Sequence, residues 1–234
     1  MALPIKALTV DTGGTILDWH HGISAAFAAA GGRHGLQADW PKITNDYRRR
    51  SLQAMRNTEH PTFNIDDMHR QMLDTVIMEY DLGAFTAEDR EAIWRTWHTL
   101  DAWPDFVPAL AARMQAKYVA ASFTIFSTSL VVDVSRRNKI AWDCLISCEM
   151  IGVYKPRPAA YQTAARWLAL EPREIMMVAC HNFDLMAARA VGYRSAFVRR
   201  PTEWGPSGPP DPEPHPDHDL VVDDFFALGQ RLGA

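Results

Sequence analysis

Four side chains spread along the sequence have the chemistry of a nucleophile and its helpers. Asp11 follows the β-prone run Ala7, Leu8, Thr9, Val10 and stands just before Gly13, Gly14 and Thr15. A carboxylate at the carboxyl end of a buried parallel strand lies where open α/β sheets bind ligands. Held rigidly and partly desolvated there, it can act as a nucleophile. Asp184 follows the apolar run Ile175 to Cys180 and would reach the same sheet edge. Two carboxylates converging there suit a nucleophile and a general base. Lys155 sits in V-Y-K-P-R-P, where Pro156 and Pro158 bar it from a helix interior. An ammonium in such a loop can keep a neighbouring Asp ionised. Thr124 closes the run Tyr118 to Phe123, and its hydroxyl can donate to a substrate oxygen. Each has a plainer reading: a helix or turn cap for the carboxylates, a solvated loop for Lys155, a strand end for Thr124.

The elements that must position these groups follow from the hydrophobic pattern. After the first strand, residues Trp19 to Leu100 carry no strand signal and read as helices. The Ala-rich segment His21 to Ala30 stops at Gly31-Gly32, and Pro41 suits the first turn of a helix running to about Arg56. Asn64 is placed to cap a third helix, and Thr86 with Asp89 forms a capping-box pair before the stripe Ile93, Trp94, Trp97, Leu100. Then strands and helices alternate. Strands are expected at Tyr118–Phe123, Cys144–Ser147, Ile175–Cys180, Ser195–Val198 and Asp219–Val222. Helices are expected from Asp105 through Lys117, and over Leu130–Lys139, Pro158–Leu168, Asp184–Val191 and Asp223–Leu232. The stretch Pro201 to Pro216, rich in Pro, Gly and acids, reads as a surface loop. Repeated strand–helix units imply an α/β fold, a Rossmann-like parallel sheet with helices on both faces. The helical stretch after strand one implies an inserted cap, with residues 19–100 as cap and 1–18 plus 101–234 as core.

Composition narrows the function classes. With 47% hydrophobic and 22% charged residues, the 234-residue chain can bury a substantial core. A net charge of −4 offers no basic footprint for nucleic acid. No apolar run reaches membrane-spanning length, and the N-terminus lacks the pattern of a signal peptide. The three cysteines, Cys144, Cys148 and Cys180, read as reduced thiols of a cytoplasmic protein.

Asp11, Gly14 and Thr15 resemble the first motif of the haloacid dehalogenase superfamily. Asp11, Thr124, Lys155 and Asp184 occur in the order of its four motifs. The Y-K-P loop before Tyr161, the stretch V-A-x-H-x-x-D-L and V-x-R-P-x-x-x-G look like the type II, or L-2-haloacid, dehalogenases. That resemblance implies hydrolysis of small 2-haloacids through an aspartyl ester, without metal or cofactor. It implies Asp11 as nucleophile, Lys155 as charge partner and Asp184 as water activator. Thr15 and Thr124 would contact substrate or nucleophile, while Tyr161 and His181 belong to the pocket. Arg48, in the pair Tyr47-Arg48, matches the residue that receives the halide, and it shares a helix face with Leu52 and Met55. The plainer reading of Arg48 is part of a solvated run, Arg48 to Arg50. The family also suggests a homodimer.

The sequence departs from the family pattern in three ways. Gly13 stands where an aromatic is usual, Ile125 where Asn is usual, and the Asn-Gly turn of that loop is replaced by Ile125, Phe126 and Ser127. All three make the local site more apolar. One rival is a Mg²⁺-dependent phosphatase of the same superfamily, which would need an Asp two residues past the nucleophile, where Gly13 stands. Another is a binding protein that kept the fold without the chemistry. The pairs His20-His21 and His215/His218 read as helix start and solvated loop.

Overall fold

The run Ala7–Val10 forms strand β1, buried along its whole length in the computed structural model, which describes residues 5–57, 64–110, 116–206, 208–209 and 212–233. Helices α1 (Trp19–Arg33), α2 (Trp40–Asn57), α3 (Ile65–Glu79) and α4 (Ala87–Arg95) follow before the chain returns to the sheet. The remaining elements are α5 (Phe106–Ala109), β2 (Val119–Thr124), α6 (Thr128–Asn138), β3 (Cys144–Ser147) and α7 (Cys148–Ile151). Then come α8 (Pro158–Leu168), β4 (Ile175–Ala179), α9 (Asn182–Ala190), β5 (Arg194–Val198), β6 (Leu220–Val222) and α10 (Phe225–Arg231).

The six strands lie in the order β3-β2-β1-β4-β5-β6, and every neighbouring pair is parallel. The chain steps outward on one side of β1, then crosses back to the other. That reversal opens a crevice at the carboxyl end of β1. Val10 pairs with Ser122 of β2 and with Val178 of β4. Asp11, one residue on, therefore emerges between the ends of both strands, and its N–H still donates to the Val178 carbonyl at 3.0 Å.

The helical insert leaves and rejoins the sheet side by side. Leu17 bridges to Ala102, and the Asp18 N–H donates to the Asp101 carbonyl at 3.0 Å. Asn64 caps α3 by accepting from the Asp66 N–H, and Thr86 with Asp89 closes a capping box on α4. Helix α1 does not stop at Gly31-Gly32 but runs through it to Arg33. A Cβ at Gly31 would overlap the Trp40 ring, so that glycine permits close helix approach rather than ending the helix.

Several other expectations need correction. Asp105 precedes α5 but makes no capping bond; its carboxylate takes both arms of Arg200, at 3.0 and 3.1 Å, and the Phe225 N–H. The helix expected to reach Lys117 is described only over Phe106–Ala109, and residues 111–115 lie outside the described set. Helix α7 had no signal in the pattern. The Pro-rich stretch is not simply surface: Glu203 is buried, as is His218 just beyond it. His218 stacks on Phe197 and meets Asn182 at 2.9 Å, which ties the loop to α9 instead of leaving it solvated.

Candidate active site

Lys155 is the hub of the site. Its ammonium lies 2.9 Å from Asp11 Oδ1, 2.6 Å from Asp184 Oδ2 and 3.0 Å from the Phe123 carbonyl. All three side chains are buried. Burial alone would push the Asp11 carboxyl up, but Lys155 and then His181 outweigh it and hold Asp11 well below the ordinary range. Asp11 is therefore an ionised carboxylate away from bulk water. Asp184 is shifted the other way. Burial, with Asp11 nearby, raises its carboxyl against the opposing pull of Lys155. One carboxylate is poised to attack and the other to take a proton.

Asp184 is not a helix cap. His181 holds the N-cap position of α9, and Asp184 lies inside the first turn with its side chain turned to the crevice. Tyr161 of α8 donates to Asp184 Oδ1 at 2.5 Å. Tyr161 thus orients the Asp184 carboxylate and does not itself line the cavity. Thr15 donates to Asp11 Oδ2 at 2.8 Å and accepts from the Cys180 N–H at 3.1 Å, so it fixes the rotamer of Asp11. Thr124, expected to reach substrate, is fully buried and does not line the cavity. Its hydroxyl pairs with Thr12 and accepts from the Phe126 N–H, which shapes the turn after β2.

Above the carboxylates is a cavity of about 130 Å³, lined by Asp11, Lys155, Asp184 and His181 below and by Arg48, Leu52 and Met55 of α2 above. Phe183 and Trp204 flank it. Its volume suits a small molecule of a few heavy atoms. Arg48 is only 3% exposed, yet its Nε and Nη1 meet no acceptor among the described residues. The guanidinium carbon instead lies 5.2 Å from the Trp97 ring centre, 5.6 Å from Trp19 and 5.8 Å from Phe126. Ring faces hold the cation by their quadrupoles and leave its N–H groups free. Burial lowers its proton affinity, while Glu203 and Asp11 act in the opposite sense. A buried cation with unsatisfied donors beside a cavity is a receptor for an anion. Trp97 is itself fixed, stacked 4.1 Å from His69 and donating to the Tyr47 hydroxyl at 3.1 Å.

The glycines after Asp11 are required by their neighbours. Gly14 has φ +87°, and a Cβ there would overlap the Glu203 carboxylate. A Cβ at Gly13 would lie 2.8 Å from Phe126 Cζ and 3.0 Å from Arg48 Nη2. The space a side chain at position 13 would take is thus filled by the Phe126 ring, from the loop after β2. Gly13→Ala is expected to lower the melting temperature, since overpacking a filled site costs about 1–3 kcal/mol. It should also displace Arg48 and weaken any activity that uses it. Unchanged melting and unchanged turnover would show that the Phe126 ring yields freely.

Residues 5–192 match the family model of haloacid dehalogenase-like hydrolases. The chain belongs to that family. Solved structures agree. An L-2-haloacid dehalogenase shares 34% identity, with TM-score 0.88 over 97% of this chain and 99% of the other. A defluorinating L-2-haloacid dehalogenase shares 35%, with TM-score 0.90 over 98% of this chain and 96% of that one. The (S)-2-haloacid dehalogenase 1 of Pseudomonas sp. (strain CBS-3) is 25% identical over 84% of this chain and 86% of its own length. As a member of the haloacid dehalogenase-like hydrolases, the chain carries the parallel α/β core and helical insert of these structures. Within this family setting, Glu203 is the site residue that motif reasoning passed over, as one of the unspecified positions in V-x-R-P-x-x-x-G.

Proposed function

We infer that the chain is a hydrolytic dehalogenase of small 2-haloacids, the substrate class named for its relatives, working through an ester on Asp11. The observation that carries the reading is Arg48, a buried guanidinium with free donors facing the same small cavity as an ionised Asp11. In the first step an Asp11 oxygen bonds to carbon 2 as the carbon–halogen bond breaks. The halide leaves with the bonding pair and is received by Arg48. In the second step Asp184 takes a proton from water, and the water oxygen attacks the ester carbonyl carbon. The tetrahedral intermediate expels the carbon 2 oxygen, which takes the proton from Asp184. Asp11, now carrying the water oxygen, sheds the second water proton to solvent. The sum is one haloacid and one water converted to hydroxyacid, halide and a proton.

Neither step needs a metal, because carbon 2 is already electrophilic and Lys155 already offsets the paired carboxylates. The phosphatase alternative lacks its proton donor, since Gly13 occupies that place. The same reading divides the chain into a cap, residues 19–100, and a core, residues 1–18 and 101–234. It also carries a cytoplasmic homodimer, testable by light scattering. The cysteines are free, and among the described residues no helix is long and apolar enough to cross a membrane.

The test is halide and hydroxyacid measured together on (S)-2-chloropropionate, with and without EDTA. One-for-one release, indifferent to EDTA, is expected. Release of phosphate from a phosphomonoester with Mg²⁺, and no halide from any 2-haloacid, would replace this reading with the phosphatase.

A further inference from the structure

Glu203 takes no part in the two steps above, yet its carboxylate is buried against the site. Trp19 Nε1 donates to Glu203 Oε1 at 3.1 Å, and His181 Nε2 lies 3.0 Å from the same oxygen. The Cys180 thiol lies 3.7 Å from Oε2. The other ring nitrogen of His181, Nδ1, is 3.2 Å from Asp11 Oδ2. Both nitrogens face carboxylate oxygens, which only accept, an arrangement that favours the doubly protonated imidazolium.

The two oxygens of Asp11 are unequal. Among the described residues, Oδ1 meets only Lys155, whereas Oδ2 accepts from the Thr15 hydroxyl and lies 3.2 Å from His181 Nδ1. An oxygen that accepts from a hydroxyl and faces a second cationic side chain is the poorer nucleophile. Oδ1 is then the attacking atom, and Oδ2 becomes the carbonyl oxygen of the ester. The Thr15 hydroxyl already donates to the atom on which negative charge develops when water adds, and the His181 ring lies beside it.

We propose that Glu203 is a positioning residue of the hydrolytic step, anchoring His181 Nε2 so that Nδ1–H points at Asp11 Oδ2. The proposal rests on the ester reading above. The groups facing the imidazole are Asp11 from the end of β1, Cys180 from the end of β4 and Glu203 from the loop after β5. Arg48 of α2 lines the same cavity. Burial opposes charge on the ring, but Cys180, Glu203 and Asp11 outweigh it and hold His181 well above its ordinary value. Because burial pushes the Cys180 thiol up to about 11, the attraction near neutral pH comes from the two carboxylates. Loss of one carboxylate charge should let the ring lose its proton at lower pH.

The experiment separates the half-reactions. Enzyme is mixed with (S)-2-chloropropionate and quenched, and released halide and Asp11 ester are counted. For Glu203→Gln the first-turnover halide burst should persist. The ester should last on the order of tenfold to a hundredfold longer, somewhat less than for loss of an oxyanion donor itself. The NMR titration of His181 should move to lower pH, and Glu203→Asp should recover part of both effects. Equal slowing of both half-reactions, or an unchanged ester lifetime, would overturn the proposal. If Glu203→Gln does not fold, the wild-type His181 titration decides alone: a ring neutral at pH 7 overturns it, and a charged ring supports it. A wild-type protein that releases no halide and forms no ester would instead remove the ester reading, and this proposal with it.

Discussion

Arg48→Ala is expected to slow dehalogenation by on the order of a hundredfold or more while leaving a folded protein. The guanidinium makes no carboxylate hydrogen bond through Nε or Nη1 and is held by the faces of Trp19, Trp97 and Phe126. A buried charge without bonded partners adds little to stability, because its desolvation cost offsets the ring contacts. The same feature is what an anion needs. Donors that are already desolvated and already aimed stabilise the departing halide without reorganisation, and losing them should cost on the order of a hundredfold or more in turnover. Arg48→Met, which keeps the volume of the stem, separates the two effects: melting near wild type, halide release lost. Arg48→Lys should recover only part of the activity, since a point charge lacks the planar fork. Near-wild-type halide release by Arg48→Met would remove the residue from the site.

Asp184→Asn is expected to stop the enzyme halfway. The first step needs Asp11 ionised, and Lys155 at 2.9 Å still secures that. The second step needs a base, and an amide cannot take a proton. Loss of general-base help should slow turnover by roughly 10²–10⁴-fold. One halide per chain should appear promptly, and the ester on Asp11 should accumulate to a visible mass shift. The pH profile of the wild type carries the same signature. Asp184 works only when ionised, and burial with Asp11 nearby raises its carboxyl above the ordinary 3.8. Activity should therefore fall as pH drops through that raised value, with an acid limb above 3.8. A first-turnover halide burst that disappears in Asp184→Asn would assign this residue to the attack step instead.

Much of the core was legible because topology and pattern coincide. A short buried run ending in an Asp and two glycines can only place that Asp at a strand end. Alternating strands and helices then bring the ends of β1 and β4 together. Arg48 was legible through helical spacing: Leu52 and Met55, one and two turns on, line the same cavity. Other features were not legible. Thr124 marked a strand end, but which way its hydroxyl turns depends on Thr12, and that contact is long-range. Gly31-Gly32 looked like a helix stop because a sequence shows the missing Cβ and not the Trp40 ring that needs its space. Phe126 looked like one more apolar loop residue, though its ring packs into the space that Gly13 leaves open. Glu203 was hidden most deeply. Prolines and glycines around it describe a loop backbone, and nothing local says that its side chain turns inward to His181 and Trp19.

The central claim is a covalent ester on Asp11, and a single turnover in ¹⁸O water tests it most directly. Enzyme is held in excess over (S)-2-chloropropionate, so that each active site reacts once. The new oxygen of the hydroxyacid should come from Asp11 and be unlabelled, while the solvent oxygen stays on the carboxylate and marks the Asp11 peptide in mass spectrometry. Label appearing in the hydroxyacid, with an unlabelled Asp11 peptide, would mean that water attacks carbon 2 directly and would contradict the ester mechanism.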